Sequence, residues 1–248
     1  MRIEVQHETS HELAEAAASQ AAAILKTALA DKAEANVIVA TGMSQAAFLD
    51  RLAQPCGIDW SRVVFFHLDE YVGLPMSHPA SFRKYLRERV EQRVHPKGFY
   101  YINGENPDPR AECRRVGNLI TQREIDAAFV GIGENGHLAF NDPPADFDTT
   151  EPYLVVNLDQ ACRRQQVGEG WFKCVDEVPT QAISMSVRQS LKAHYILCVI
   201  PDARKAQAVR DCFSGGVTNM HPGFILQTHP SCTVLLDKES ASLLPKRQ

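Results

Sequence analysis

Asn36-Val37-Ile38-Val39-Ala40-Thr41-Gly42-Met43-Ser44 is the stretch whose reading decides the fold. Its first five positions are a short, nearly continuous apolar run, which fits a strand buried on both faces better than a helix. Thr41-Gly42-Met43-Ser44 then turns the chain, and a helical stretch follows from Gln45 to about Leu52. The same alternation extends outward on both sides. Upstream, Thr9 to Asp31 reads as a long helix opened by a capping box of Thr9 and Glu12. Downstream, Arg62 to His67 is a strand, and Pro79 suits the first turn of a helix running to about Val94. Helix is expected over Ala111–Thr121 and from Ala203 to about Cys212, and strand over Ala127–Val130, His194–Ile200 and Cys232–Leu236. Apolar strands alternating with amphipathic helices predict an α/β fold, a mostly parallel sheet with helices on both faces. There is no internal repeat, low-complexity tract or linker, so one domain is read over 1–248.

Composition agrees. The chain has 248 residues, 44% of them apolar and 23% charged, which is ordinary for a globular protein. Its net charge of −4 offers no basic field for nucleic acid or a membrane surface. No run approaches the roughly 18 apolar residues that cross a bilayer, and the first eight residues carry no apolar signal core. Seven cysteines, odd in number and with no C-x-x-C pair, argue against structural zinc or a disulfide framework. Reduced thiols in a cytoplasmic enzyme are the expectation.

In open α/β sheets, ligands sit beyond the carboxyl ends of the strands, so the strand-to-helix loops are where chemistry is sought. Ala40-Thr41-Gly42-Met43-Ser44 offers a glycine, two hydroxyls and a helix N-terminus, a candidate phosphate cradle that reads equally well as a tight turn. Phe66-His67-Leu68-Asp69-Glu70-Tyr71 ends an apolar strand in two carboxylates, and a carboxylate in a partly dry pocket can remove a proton next to a carbonyl. Gly131-Ile132-Gly133-Glu134-Asn135-Gly136-His137 contains G-x-G-x-x-G, but more than halfway along the chain, and Pro143-Pro144 stops a long helix from starting there. A dinucleotide site is therefore a poor reading. Glycines that thread backbone around a ligand while His137 and Asp142 project into it is the better one.

With these loops in order, the sequence resembles the glucosamine-6-phosphate deaminase (isomerase) family and, more distantly, 6-phosphogluconolactonases. The resemblance rests on Asp69-Glu70-Tyr71-Val72-Gly73-Leu74-Pro75, on Gly131 to Pro143 with its Gly-His-Leu-Ala-Phe-Asn string, on Lys205-Ala206, and on Leu226-Gln227-Thr228-His229-Pro230. It implies a Rossmann-like fold, a hexosamine 6-phosphate as the small-molecule substrate, and its conversion to a ketose phosphate plus ammonia without cofactor or metal. It implies that Asp69 moves the proton from C2 to C1, that His137 opens the sugar ring, and that Asn135 and Asp142 orient His137. Thr41, Gly42, Ser44 and Lys205 would hold the phosphate, and Glu70 and Gly136 would complete the substrate site.

The sequence departs from the family pattern where Asn135 and Asp142 stand for a usual Asp and Glu, and where Met43-Ser44 replaces a Gly-Thr pair. Gly170 stands where the family has a phosphate-binding Arg, and Arg163 or Arg164 is the expected substitute. Asn135→Asp is expected to be tolerated. Lactone hydrolysis and non-catalytic sugar-phosphate sensing are the competing readings. The sequence leaves a homo-oligomer and the configuration of the sugar open.

Overall fold

The computed structural model describes residues 2–245, so the domain read over 1–248 extends beyond the described residues at both ends. In chain order the elements are β1 (Arg2–His7), α1 (Ser10–Asp31), β2 (Ala35–Val39), α2 (Met43–Leu52), β3 (Val63–His67), β4 (Asp69–Tyr71), α3 (Phe82–Leu86), α4 (Gln92–Val94), β5 (Gly98–Tyr100), α5 (Pro109–Thr121), β6 (Ala127–Val130), β7 (Tyr153–Asn157), α6 (Gln160–Gly168), β8 (Gln181–Met185), α7 (Val187–Ser190), β9 (Tyr195–Ile200), α8 (Ala206–Phe213) and β10 (Cys232–Asp237). Seven strands lie in the order β1-β10-β9-β6-β2-β3-β5, with every neighbouring pair parallel. The expected α/β architecture is present.

Its cause is visible strand by strand. Val37 and Val39 of β2 join the core built on α1 and α2, whereas Ile38 joins the core that contains Cys113, Val116 and Ile120 of α5. Phe65 and Phe66 of β3 divide in the same way, as do Phe129 and Val130 around β6. Successive side chains point to opposite faces and both faces are covered, so every position must be apolar. At the start of α1, Thr9 accepts the Glu12 amide at 3.2 Å. Glu12 reaches back to the Glu8 amide at 3.0 Å, one residue earlier than the usual box.

Three features differ from the sequence expectation. The helix expected from Pro79 begins at Phe82, because Ser81 caps it by accepting the Lys84 amide and Pro79 lies in the preceding turn. It then runs through a π turn, Arg87–Glu91, before α4. The strands β1 and β5 at the two sheet edges were not foreseen. Neither was a second, antiparallel sheet in the order β4-β8-β7.

The second sheet matters most for the site. The Met185 amide donates to Leu68 O at 2.9 Å, so the chain leaves the parallel sheet at His67 and enters the small one at Asp69. Behind β4 lies a small aromatic core in which the Tyr71 ring sits 5.0 Å from Phe82 and 5.3 Å from Phe140. Strand succession reverses between β2 and β6: β2 leads to β3 on one side, and β6 has β9 on the other. That reversal opens a crevice at the carboxyl ends of the strands. All seven cysteines are free thiols, and no helix among the described residues is long and apolar enough to cross a membrane.

Candidate active site

An open cleft occupies this crevice. Thr41, Gly42 and Ser44 line it from the turn after β2, Asp69 from the point where β3 gives way to β4, Gly133 and His137 from the loop after β6, and Lys205 from the turn after β9. Loops far apart in sequence converge because their strands are neighbours and all end on the same side of the sheet.

One end of the cleft suits an anion. Gly42 is the N-cap of α2 with φ +100°, a backbone setting that favours glycine, and no side chain caps the helix. The Gln45 amide donates to Gly42 O at 3.1 Å, and the amides ahead of it, with the positive end of the dipole, are left to a ligand. Lys205 is 2% exposed and lines the same end. Burial lowers its pKa, and the charges of Glu169, Glu134 and Asp202 act in the opposite direction.

The other end suits proton transfer. Asp69 is 6% exposed, and the Thr41 hydroxyl lies 3.4 Å from its Oδ1. Burial, reinforced by the neighbouring charge of Glu70, pushes Asp69 up to about 8 despite that hydrogen bond. A carboxyl held near neutrality can take a proton and return it.

Glu70, expected to contact substrate, does not line the cleft. Strand alternation sends it the other way, where it accepts the amides of Tyr71, Phe82 and Arg83, the Ser81 hydroxyl and Arg83 Nε. Its carboxylate caps the N-terminus of α3 and is paired with a guanidinium that is itself 6% exposed. Its role is to anchor β4, and so to fix the residue beside it.

His137 projects from a turn rather than from a helix. The Gly133 amide donates to His137 O at 2.9 Å, closing the glycine loop on itself. The imidazole packs against Gly133 so closely that a Cβ there would stand 2.3 Å from the ring. Nδ1 lies 3.0 Å from Asp142 Oδ1, which also accepts Asn135 Nδ2 at 3.0 Å. The Asp142 Oδ2 accepts the Asp159 amide at 3.0 Å. Burial pushes Asp142 upward, but the hydrogen bonds from His137, Asn135 and Asp159 outweigh it and hold the group below its ordinary value. A carboxylate kept ionised behind Nδ1 fixes the ring and leaves Nε2 to exchange protons. Asp142 therefore stands behind the imidazole, and Asn135 holds both Asp142 and the His137 amide, which donates to its Oδ1 at 3.1 Å.

The remaining expectations divide. Arg163 closes the turn after α6, donating to Val175 O and Val178 O, and Arg164 is exposed on the outer face beside Gln160. Neither lines the cleft, where Lys205 is the one Lys or Arg among the described residues. Gly136 also faces away: it adopts φ +81°, and a Cβ there would meet Cys212 Sγ at 3.0 Å. Its work is to turn the backbone.

Sequence reasoning missed Gln165, Gln166 and Glu169 of the α6 region, which wall the cleft. An adjacent Gln pair on a helix capped by Asp159 was the available signal. Gln166 accepts the Tyr71 hydroxyl at 2.6 Å, tying the helix to β4. Ser184 of β8 was missed too; its hydroxyl accepts the Phe140 amide at 3.0 Å and pins the loop beyond His137. The ligand atoms of His137, Asp142 and Cys162 lie within 4.8 Å of one another, a donor set of metal-binding type. Burial raises the Cys162 thiol far above its usual range, which keeps it protonated and ill-suited as a ligand.

The profile of a family described as glucosamine-6-phosphate isomerases/6-phosphogluconolactonase matches residues 8–235. A glucosamine-6-phosphate deaminase of Exiguobacterium sibiricum is 40% identical over 187 residues, 75% of this chain and 73% of that protein. One from Bacillus thuringiensis is 34% identical over 235 residues, 95% of this chain and 86% of that protein. A solved structure described as a monomeric glucosamine-6-phosphate deaminase superposes with a TM-score of 0.90 at 31% identity, covering 98% of this chain and 100% of that one. A 6-phosphogluconolactonase of Thermotoga maritima, at 16% identity and TM-score 0.77 over 95% and 98% of the two chains, shares the fold.

Proposed function

The chain belongs to the glucosamine-6-phosphate isomerase/6-phosphogluconolactonase family, and we propose that it is the deaminase kind of member, converting a hexosamine 6-phosphate to a ketose 6-phosphate and ammonia. The observation that carries this reading is one cleft with a near-neutral carboxyl and a His–carboxylate pair at one end and a buried lysine beside a bare helix N-terminus at the other. The relatives at 34–40% identity carry the same activity in their names.

The phosphate sits at the α2 N-terminus, held by the turn at Gly42 and Ser44 and by the Lys205 ammonium. His137 opens the ring, protonating the ring oxygen as the anomeric hydroxyl loses its proton. Asp69, ionised in the reacting complex, takes the C2 proton while O1 gains the proton that the amino nitrogen gives up, which yields an enolamine, and Asp69 then delivers its proton to C1. C1 becomes a hydroxymethyl carbon and C2 an imine. Water adds to C2, the C–N bond breaks, and ammonia leaves with the ketose phosphate. A relative of solved structure is described as monomeric. A cytoplasmic setting accords with the seven free thiols.

Initial rates of ammonia release from glucosamine 6-phosphate and galactosamine 6-phosphate, beside acid release from 6-phosphogluconolactone, test the reading. Ammonia from at least one aminosugar phosphate is expected. Lactone hydrolysis without ammonia release overturns the proposal.

A further inference from the structure

Glu169, just past the end of α6, closes the anion-binding end of the cleft with a negative charge. It is held in place. Its Oε1 accepts Gln165 Nε2 at 2.7 Å, and its Oε2 accepts Trp171 Nε1 at 3.1 Å. Gln165 is fixed in turn by the Glu134 amide at 2.9 Å. The Glu169 Oε2 lies 3.9 Å from where a Cβ on Gly42 would stand, so the carboxylate rests against the first turn of α2. Both of these hydrogen-bond donors are neutral side chains. On the facing wall, Lys205 supplies one positive charge.

A phosphate dianion entering here meets a like charge across a narrow space, and like charges in one site disfavour each other. A phosphate monoanion does not, because its P–OH can donate to the carboxylate. An O–H···O⁻ bond of this kind is about twice as strong as a neutral one. Building on the phosphate-binding reading above, we propose that Glu169 is a specificity-determining residue that accepts a hydrogen bond from the protonated oxygen of a phosphate monoester, so that the cleft binds the monoanion and rejects a sulfate ester. The sulfate ester has the same shape, but no proton to donate near neutrality. Binding above the second phosphate pKa therefore takes up one proton, shared between ligand and Glu169.

Other groups around Glu169 do not supply that proton. Arg204, beside Lys205, is committed to Asp202 at 2.9 Å. Glu134, on the loop after β6, is a further negative charge in the neighbourhood. Tyr85 from α3 and Tyr71 from β4 are held protonated by burial. Asp69, whose carboxyl is pushed up to about 8, and His137 also line the cleft, and both persist in a Glu169 variant, so comparison with the parent isolates Glu169.

The test uses glucose 6-phosphate and glucose 6-sulfate, which lack the amino group, with affinities and proton uptake measured by titration calorimetry in buffers of different ionisation heat. For a phosphate ester with a second pKa of about 6, the monoanion falls from about half at pH 6 to about one part in a hundred at pH 8. The parent's Kd for the phosphate should therefore rise on the order of 50-fold over that interval, with one proton taken up at pH 8. The sulfate should bind the parent at least about tenfold more weakly than the phosphate at pH 6, with no proton uptake. In Glu169→Gln the phosphate-to-sulfate ratio and the pH slope should both fall to within about threefold of unity. Glu169→Asp, which keeps the carboxylate, should keep the ratio.

Equal binding of the two esters by the parent, or no proton uptake, overturns the inference even if Glu169→Gln does not fold. An unchanged ratio and slope in a folded Glu169→Gln also overturns it. In either case ammonia release by the parent would leave the proposed function standing. Failure of both esters to bind at any pH would sink the phosphate reading itself, and the inference with it.

Discussion

Replacing Asp69 by Asn should abolish turnover and, above about pH 5, make the protein more stable relative to the parent. The carboxyl is driven up to about 8, first by burial and then by the neighbouring Glu70 charge. Unfolded, it titrates near an ordinary value of about 3.9. The folded chain therefore keeps a proton that the unfolded chain has already released. Stability from this group is fully present below the unfolded pKa and is lost as pH rises toward the folded one. The slope is about 1.4 kcal/mol per pH unit within the window, so about 2.7 kcal/mol disappears between pH 5 and pH 7. Asn has the same shape, still accepts from Thr41, and has no such slope. Urea unfolding of both proteins at pH 5, 6 and 7 should show the variant gaining on the parent by that amount. In melting temperature this is roughly 5–10 °C for a chain of this size. Exchange of the C2 proton with solvent deuterium should vanish in parallel, and the parent's kcat, measured at saturating substrate, should rise with pH toward about 8 as the base loses its proton. A stability difference that does not change with pH, or a variant that still exchanges C2, would refute the reasoning.

The remaining predictions concern the walls of the cleft. Lys205→Ala should raise KM for phosphorylated substrate at least about tenfold while changing kcat less, because the one Lys or Arg lining the cleft is lost; an unchanged KM would place the phosphate elsewhere. Gly133→Ala drives a methyl to 2.3 Å from the imidazole, so it should cut kcat by roughly the 10²–10⁴-fold of a lost acid–base group while the fold persists by circular dichroism. Asn135→Asp, expected from sequence to be tolerated, should instead destabilise by about 1–3 kcal/mol, because a donor 3.0 Å from Asp142 and 3.4 Å from Asp159 becomes a third carboxylate. Urea unfolding checks that cost. The family resemblance implies that an activating N-acetylglucosamine 6-phosphate would set its phosphate on the segment after the His137 loop; here Asp142 to Leu158 carries four acidic side chains and no Lys or Arg, so that sugar should not activate and substrate curves should be hyperbolic. Initial rates at low substrate with and without that sugar decide the point.

The sequence by itself determined the parallel sheet and the place of its chemistry. Strands such as Ala35–Val39 and Ala127–Val130 are buried on both faces, so their apolar runs needed no partner to be recognised. The loops after them had to hold the ligand, because strand ends on one side of a parallel sheet converge. Thr41, Gly42, Asp69, His137 and Lys205 were legible for that reason, each sitting just past a run whose end could be seen. Tertiary structure alone decided the direction of neighbouring residues and the content of the second sheet. Glu70 adjoins Asp69 in sequence, yet strand alternation and the amides of α3 send it away from the cleft. Arg163 and Arg164 offered the right charge, but only the turn after α6 reveals that one is spent on backbone carbonyls and the other faces out. Tyr153–Asn157 is largely half-buried or exposed, and Gln181–Met185 pairs antiparallel with it and with Asp69–Tyr71, partners remote in the chain. Glu169 reaches the cleft only because Gln166 and Tyr71 dock its helix onto β4. Local pattern encodes what a residue buries against its own sheet; what faces it across a cleft depends on contacts between distant segments, which no local pattern carries.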